Sequence, residues 1–215
     1  MQLLLIRHGE TAANAERRVQ GHLDVPLSGR GLRESERLAG RVAELPVAAL
    51  YSSPLQRARQ TAHAIAERLS LEIGERDELM ERDVGALSGL VWDEVMERYP
   101  EFIRARAEPN PTPNPTIDVP GYELDDAFNL RVHTVLEAII ARHPEQTVAV
   151  VTHGGVIASF CRQTLQIEAG RPAPFDIGNG SITVFDIQDG EFDPLTRPRV
   201  RLMALNDTCH LDGLA

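Results

Sequence analysis

Two short apolar runs, each followed directly by a His-Gly turn, constrain the fold of this chain more than any other feature. Residues 3–6 lead into Arg7-His8-Gly9, and residues 148–152 lead into His153-Gly154. A short apolar run that ends at a Gly turn is typical of a buried strand, and ligands bind at the carboxyl ends of strands in open α/β sheets. Arg suits an anion such as phosphate, and His acts as a nucleophile or proton carrier near neutral pH. Two such strands in one sheet would place two imidazoles beside one anion.

The rest of the chain alternates predicted strands with predicted helices. Strands are predicted at 2–7, 47–51, 147–152, 181–187 and 199–205, and helices at 28–45, 53–69, 91–106 with a break near Pro100, 122–142 and 155–165. Ser28 and Ser53 are the predicted N-caps of the first two helices. The alternation predicts one α/β domain over residues 1–215, a three-layer sandwich with a mostly parallel sheet and helices on both faces. Prolines between the third and fourth helices predict an extended flap at about 107–120.

Charge and composition limit the kinds of molecule that the protein can bind and the cellular compartment in which it works. The net charge of −10 disfavours nucleic acid and anionic membranes as partners. Apolar stretches fall well short of the roughly 18 residues that span a bilayer. The chain has two cysteines without CxxC spacing, which favours a reducing cytoplasm. No metal site is predicted, because the candidate ligands lack the spacing of a zinc module; they are His153, Cys161, Cys209 and His210. The chain has no lysine, which excludes a P-loop lysine or a lysine Schiff base.

Motifs along almost the whole chain resemble the histidine phosphatase superfamily, the phosphoglycerate mutase-like proteins. The resemblance starts from Arg7-His8-Gly9-Glu10-Thr11 and from Thr152-His153-Gly154-Gly155. Further matching segments follow in the family's order: Asn14, Gln20-Gly21, Asp24, Pro26-Leu27-Ser28, Gly31, residues 51–62, residues 79–85, Ser88-Gly89, and Asn206-Asp207-Thr208 before His210-Leu211. The resemblance implies the phosphoglycerate mutase-like fold and a metal-independent enzyme that uses no cofactor and forms a phosphohistidine.

The resemblance also implies the roles of five residues. His8 is the expected nucleophile, and Arg7 and Arg57 are expected to hold the non-bridging phosphate oxygens. His153, in its charged form, is expected to donate to the third oxygen. Glu81 is expected to protonate the leaving oxygen and then to deprotonate the attacking water.

Four further residues are expected to bind the substrate, and the identity of the proton donor has one alternative. Asn14, Gln20, Gly21 and Gly154 are the expected substrate-binding residues. Asp83 lies two residues after Glu81, so the sequence leaves open which of the two carboxylates donates the proton.

Within the family, the sequence favours the small phosphatases over the cofactor-dependent mutases. The mutases have Tyr three residues after the acid and Lys eleven residues after it, whereas this chain has Val84 and Trp92 there. We therefore expect a phosphomonoester hydrolase acting on small phosphorylated metabolites, with a mutase as the first alternative and a non-catalytic phosphate-binding module as the second. Tyr122 and Leu124 depart from the family's pattern, so the sequence leaves the substrate selectivity open. It also leaves open whether the protein forms a homodimer.

Overall fold

The computed structural model describes residues 1–107, 119–167, 174–188 and 199–214. The flap predicted at about 107–120 lies, apart from its ends, outside the described residues. No helix in the described part of the chain is long and apolar enough to cross a membrane.

Six strands form one sheet in the order β3-β2-β4-β1-β5-β6. Their bounds are β1 Gln2–Arg7, β2 Val47–Ser52, β3 Ile73–Glu75, β4 Thr147–Thr152, β5 Ile182–Ile187 and β6 Val200–Asp207. The first four strands run parallel, whereas β5 pairs antiparallel with β1 and with β6. The predicted mostly parallel sheet is therefore confirmed. The edge strand β3 was not predicted, because three residues with one large apolar side chain carry no periodicity.

Helices cover both faces of the sheet, as predicted. They are α1 Ala12–Ala15, α2 Gly29–Val42, α3 Gln56–Leu69, α4 Trp92–Arg98, α5 Pro100–Ala107, α6 Asp125–Arg142 and α7 Gly154–Thr164. Alternate residues of β1 divide between two cores: Leu3 and Leu5 pack in the core that contains α6 and α7, and Leu4 and Ile6 pack in the core that contains α2 and α3. This alternation explains why β1 is apolar at every position from Leu3 to Ile6, since both faces of this central strand are buried there.

Some helix ends differ from the prediction. Ser28 caps α2 as expected, with its side chain accepting from the Gly31 N–H. Ser53 does not cap α3, because that helix begins at Gln56 after an N-cap, Leu55, that has no side-chain hydrogen bond. The Ser53 hydroxyl instead contacts a histidine ring, described below. The helix α2 is four residues shorter than predicted and α6 is three residues shorter, and α1 lies between residues 7 and 28, where no helix or strand was predicted.

Candidate active site

Adjacent parallel strands bring the two His-Gly segments together. In the register of β1 and β4, Arg7 pairs with Thr152, so His8 and His153 leave the sheet side by side at its carboxyl edge. Their ring centroids lie 5.1 Å apart at an interplanar angle of 61°. Both side chains are buried. The predicted meeting of two imidazoles at one sheet edge is observed.

The environment of His8 leaves one ring nitrogen unprotonated. His8 Nδ1 lies 2.7 Å from the Gly9 carbonyl oxygen, which can only accept, so Nδ1 carries the proton and donates. Burial lowers the pKa of His8 well below its ordinary value, and the positive charges of Arg57 and Arg7 lower it further. The ring is therefore neutral, and Nε2 keeps its lone pair.

In the free site, His153 is also shifted toward its neutral form, whereas the expectation of a charged ring concerned the phosphate-bound site. Burial lowers the pKa of His153 well below its ordinary value, with further lowering by Arg57, His8 and Arg7. Its Nε2 lies 2.8 Å from Ser53 Oγ, while its buried Nδ1 has no hydrogen-bond partner. Sequence motifs reveal the residue type but not the depth of burial, and here burial decides the charge of the free site.

Two arginines, the buried Arg57 and the half-buried Arg7, are anchored by backbone carbonyls. Arg7 Nη1 donates to the Ile177 carbonyl, and Arg57 donates from Nη1 to Leu23 at 2.6 Å and from Nη2 to Gly21 at 2.8 Å. Burial lowers the pKa of Arg57 to about 10, so the side chain stays charged at neutral pH. The Nε atoms of Arg7 and Arg57 are buried and without a partner. Fixed guanidinium groups with unpaired buried donors are suited to an anion.

Backbone amides orient the Glu81 carboxylate. Oε1 accepts from the Arg82 N–H at 2.8 Å, and Oε2 accepts from the Gly155 N–H at 2.9 Å. A Cβ atom on Gly155 would lie 2.1 Å from Oε1, so a larger residue there would displace the carboxylate from this position. Glu81 lines the cleft beside His8, whereas the Asp83 carboxylate accepts from the Gly85 N–H at 2.9 Å. The geometry favours Glu81 over Asp83 as the acid.

Three of the four predicted substrate-binding residues line the cleft, and the fourth, Gly154, lies beside Arg7. Asn14, Gln20 and Gly21 line it, and a Cβ on Gly154 would lie 3.5 Å from Arg7 Nε. The Asn14 side-chain oxygen accepts from the Thr11 N–H at 3.1 Å. This leaves the amide NH2 of Asn14 as the group available to a ligand.

Four further residues contribute to the site, although the sequence predicted no such role for them: Ser53, Gly155, Asn179 and His22. Asn179 Nδ2 lies 3.1 Å from the His8 carbonyl and 3.2 Å from Asn14 Oδ1, so it ties the end of β1 to the cradle. His22 Nε2 lies 2.8 Å from the Glu81 carbonyl, and no sequence motif includes His22. Asn179 lies between two glycines just before β5, and nothing in that local pattern indicates a contact with β1.

The cleft has a volume of about 370 Å³ and is locally basic. The described residues that line it include four arginines and one acid: Arg7, Arg18, Arg57, Arg82 and Glu81. A locally cationic cleft lets a chain of net charge −10 bind an anion. Trp92, about half exposed, and Val84 form part of the wall. No group of three or more His, Cys, Asp or Glu side chains suited to a metal ion occurs in the described part of the chain.

Comparisons with known proteins identify the family that this chain resembles. A sequence model of the histidine phosphatase superfamily (branch 1) matches residues 3–197. The chain is 35% identical to phosphoserine phosphatase 1 of Hydrogenobacter thermophilus, over 98% of this chain and 94% of that protein. It is 37% identical to a metal-independent phosphoserine phosphatase of Arabidopsis thaliana, over 87% and 77% of the two chains. The solved phosphoserine phosphatase of Entamoeba histolytica in complex with 3-phosphoglyceric acid superimposes with a TM-score of 0.80 at 26% identity, covering 98% of both chains.

Proposed function

The chain belongs to the histidine phosphatase superfamily, and we propose that it hydrolyses small phosphomonoesters through a phosphohistidine formed on His8. The observation that carries this proposal is the state of His8: a neutral ring whose Nδ1 proton is held by Gly9, so that Nε2 has a free lone pair. A nucleophile needs that lone pair, and the neighbouring cations suit the phosphate that it attacks.

In the first step, His8 Nε2 attacks phosphorus, the Nε2–P bond forms, and the P–O bond of the ester breaks. The unpaired Nε groups of Arg7 and Arg57 donate to the non-bridging oxygens, where charge is concentrated in the transition state. Each guanidinium is already held by backbone carbonyls, so little reorganisation is needed at the moment of reaction.

In both steps, Glu81 moves a proton. It protonates the departing alkoxide in the first step. It then takes a proton from the water that attacks the phosphohistidine, whereupon the Nε2–P bond breaks and inorganic phosphate leaves. The two amide hydrogen bonds to Glu81 fix the direction of its carboxylate, which geometry-dependent proton transfer requires.

A phosphatase suits the cleft wall better than a mutase does. A mutase must retain a bisphosphate intermediate and exclude water from it, which requires polar contacts far from the reacting phosphate. Val84 and Trp92 offer apolar surface there, and the chain contains no lysine to replace the one that the mutases use. The alternative of a non-catalytic binding module is disfavoured, because binding alone does not require an unprotonated His8 or an oriented Glu81.

The relatives guide the choice of substrates. Phosphoserine and 3-phosphoglycerate are small, anionic phosphomonoesters, and we propose this class as substrates of this chain. The cytoplasmic location and the oligomeric state stay predictions. Cys161 and Cys209 are both free, which is consistent with a reducing compartment.

One experiment separates the two enzymatic alternatives. The protein is incubated with 3-phosphoglycerate and 2,3-bisphosphoglycerate, and released phosphate and the 2-phospho isomer are both measured, with and without EDTA. We expect phosphate release that EDTA leaves unchanged. Isomer exchange much faster than phosphate release would favour the mutase, and a rate lost to EDTA and restored by one metal would contradict the mechanism.

A further inference from the structure

The two ring nitrogens of His153 lie in different surroundings. Nε2 is 2.8 Å from Ser53 Oγ, whereas Nδ1 is buried and unpaired. Both His153 and Ser53 are 0% exposed, so bulk water reaches neither side chain. A neutral imidazole has one N–H and one lone pair, and the partner on Nε2 decides where each of them lies.

The Ser53 hydroxyl can donate one hydrogen bond, and its oxygen already accepts one from the backbone. The Leu55 backbone N–H donates to Ser53 Oγ at 3.3 Å, which leaves the hydroxyl proton free to be given away. Within the described part of the chain, His153 Nε2 is the acceptor in reach of that proton. A proton on Nε2 would leave both the Ser53 proton and the Nδ1 lone pair buried and unpaired, which is costly.

We propose that Ser53 is a positioning residue that holds His153 as the Nδ1-protonated tautomer, so that a neutral ring presents an N–H to the substrate phosphate. The proposal rests on the function proposed above. His153 Nδ1, Arg7 Nε and Arg57 Nε are all buried and have no hydrogen-bond partner. Arg57, His8 and Arg7 are also the groups whose charges act on His153 most strongly. One anion bound at His8 would pair all three donors.

The two histidines then receive opposite roles from their first neighbours. The Gly9 carbonyl accepts a hydrogen bond from the Nδ1–H of His8, which leaves Nε2 as a nucleophile. The Ser53 hydroxyl donates a hydrogen bond to Nε2 of His153, which leaves the Nδ1–H as a donor to the substrate. A neutral donor also adds no third positive charge beside the two arginines before substrate arrives.

The first arm of the test reads the tautomer directly and needs no turnover. Long-range ¹H–¹⁵N spectra of the free wild-type protein, with the His153 signals assigned by their loss in His153→Asn, report which ring nitrogen is protonated. We expect a protonated Nδ1 and an unprotonated Nε2. A protonated Nε2 would overturn the proposal, whether or not the protein proves to be a phosphatase.

The second arm compares two buried serines. Ser53→Ala removes the proposed donor, while Ser159→Ala removes a hydroxyl that also donates to one group, Asn129 Oδ1, and accepts from another, Gln163 Nε2. We expect Ser53→Ala to lower kcat/KM and vanadate affinity by about tenfold to a hundredfold and to mix the His153 tautomers, since a buried partner is lost. Ser159→Ala should stay within about twofold.

Equal losses in the two serine variants, or an unchanged His153 tautomer in Ser53→Ala, would contradict the role of Ser53. Thermal unfolding checks that both variants fold, and if Ser53→Ala does not, the wild-type spectrum alone decides. Absence of phosphatase activity in a wild-type protein with the expected tautomer would overturn the proposed function and leave the positioning role of Ser53 in place.

Discussion

At the scale of single residues, the neighbours of a side chain decide its chemistry as much as its type does. The sequence predicted Arg7, His8 and His153 as one cluster, because residue type and strand-end position suffice for that. It did not predict that the pKa of His153 is lowered in the free site, since that depends on complete burial beside two guanidinium groups. It also left Glu81 and Asp83 open, because the choice depends on which carboxylate the backbone turns toward His8.

Glu81→Gln tests the assignment of the proton donor. An alkyl phosphate such as phosphoserine needs its leaving oxygen protonated, whereas p-nitrophenolate leaves without help. We therefore expect kcat to fall about 10²- to 10⁴-fold with phosphoserine but less than about tenfold with p-nitrophenyl phosphate. Asp83→Asn serves as the matched control and should affect both substrates alike and weakly. Equal losses on the two substrates in Glu81→Gln would mean that Glu81 only positions the site.

At the scale of elements, the periodic segments were predictable and the short ones were not. The strands β1 and β4 stand out as apolar runs because both of their faces are buried. The three-residue strand β3 and the single-turn helix α1 carry too little pattern to be recognised. Ser53 was mistaken for an N-cap because Ser-Pro before a helical pattern is typical of a helix start, and the structure uses its hydroxyl for His153 instead.

Gly155→Ala tests whether the start of α7 must accommodate Glu81. A Cβ there would lie 2.1 Å from Oε1, so the carboxylate must move. We expect kcat to fall about tenfold to a hundredfold, because a displacement of about 1 Å has that effect on an oriented group. Gly29→Ala is the control, since a Cβ there meets no atom within 4 Å at the start of α2. Steady-state kinetics with phosphoserine that show no difference between the two variants would contradict this reading of Gly155.

At the scale of the whole molecule, the three-layer architecture was predictable because alternating strands and helices have few packing solutions. The position of the cleft followed from the same rule, since parallel strands end at one edge. The local excess of arginines was less evident in a chain of net charge −10, because tertiary structure gathers residues from distant segments.

The two buried neutral histidines make stability depend on pH. Their folded-state pKa values lie below the unfolded value, so stability is fully present above about pH 6.5 and is lost as pH falls. Between pH 7.5 and 5.5 each histidine should remove on the order of 1 kcal/mol of the free energy of unfolding. Urea unfolding should therefore show a smaller loss over this pH range in His153→Asn than in wild type. The same loss in both proteins would mean that His153 is protonated in the folded state at pH 5.5.

The central claim is that His8 Nε2 carries the phosphoryl group between substrate and water. Rapid acid-free quenching of the protein with ³²P-labelled substrate, followed by peptide mapping, tests it most directly. We expect a label on the peptide that contains His8, stable in base, lost in acid, and absent from His8→Ala. A label that survives acid on a Ser or Asp peptide, or turnover in His8→Ala close to that of wild type, would contradict the account.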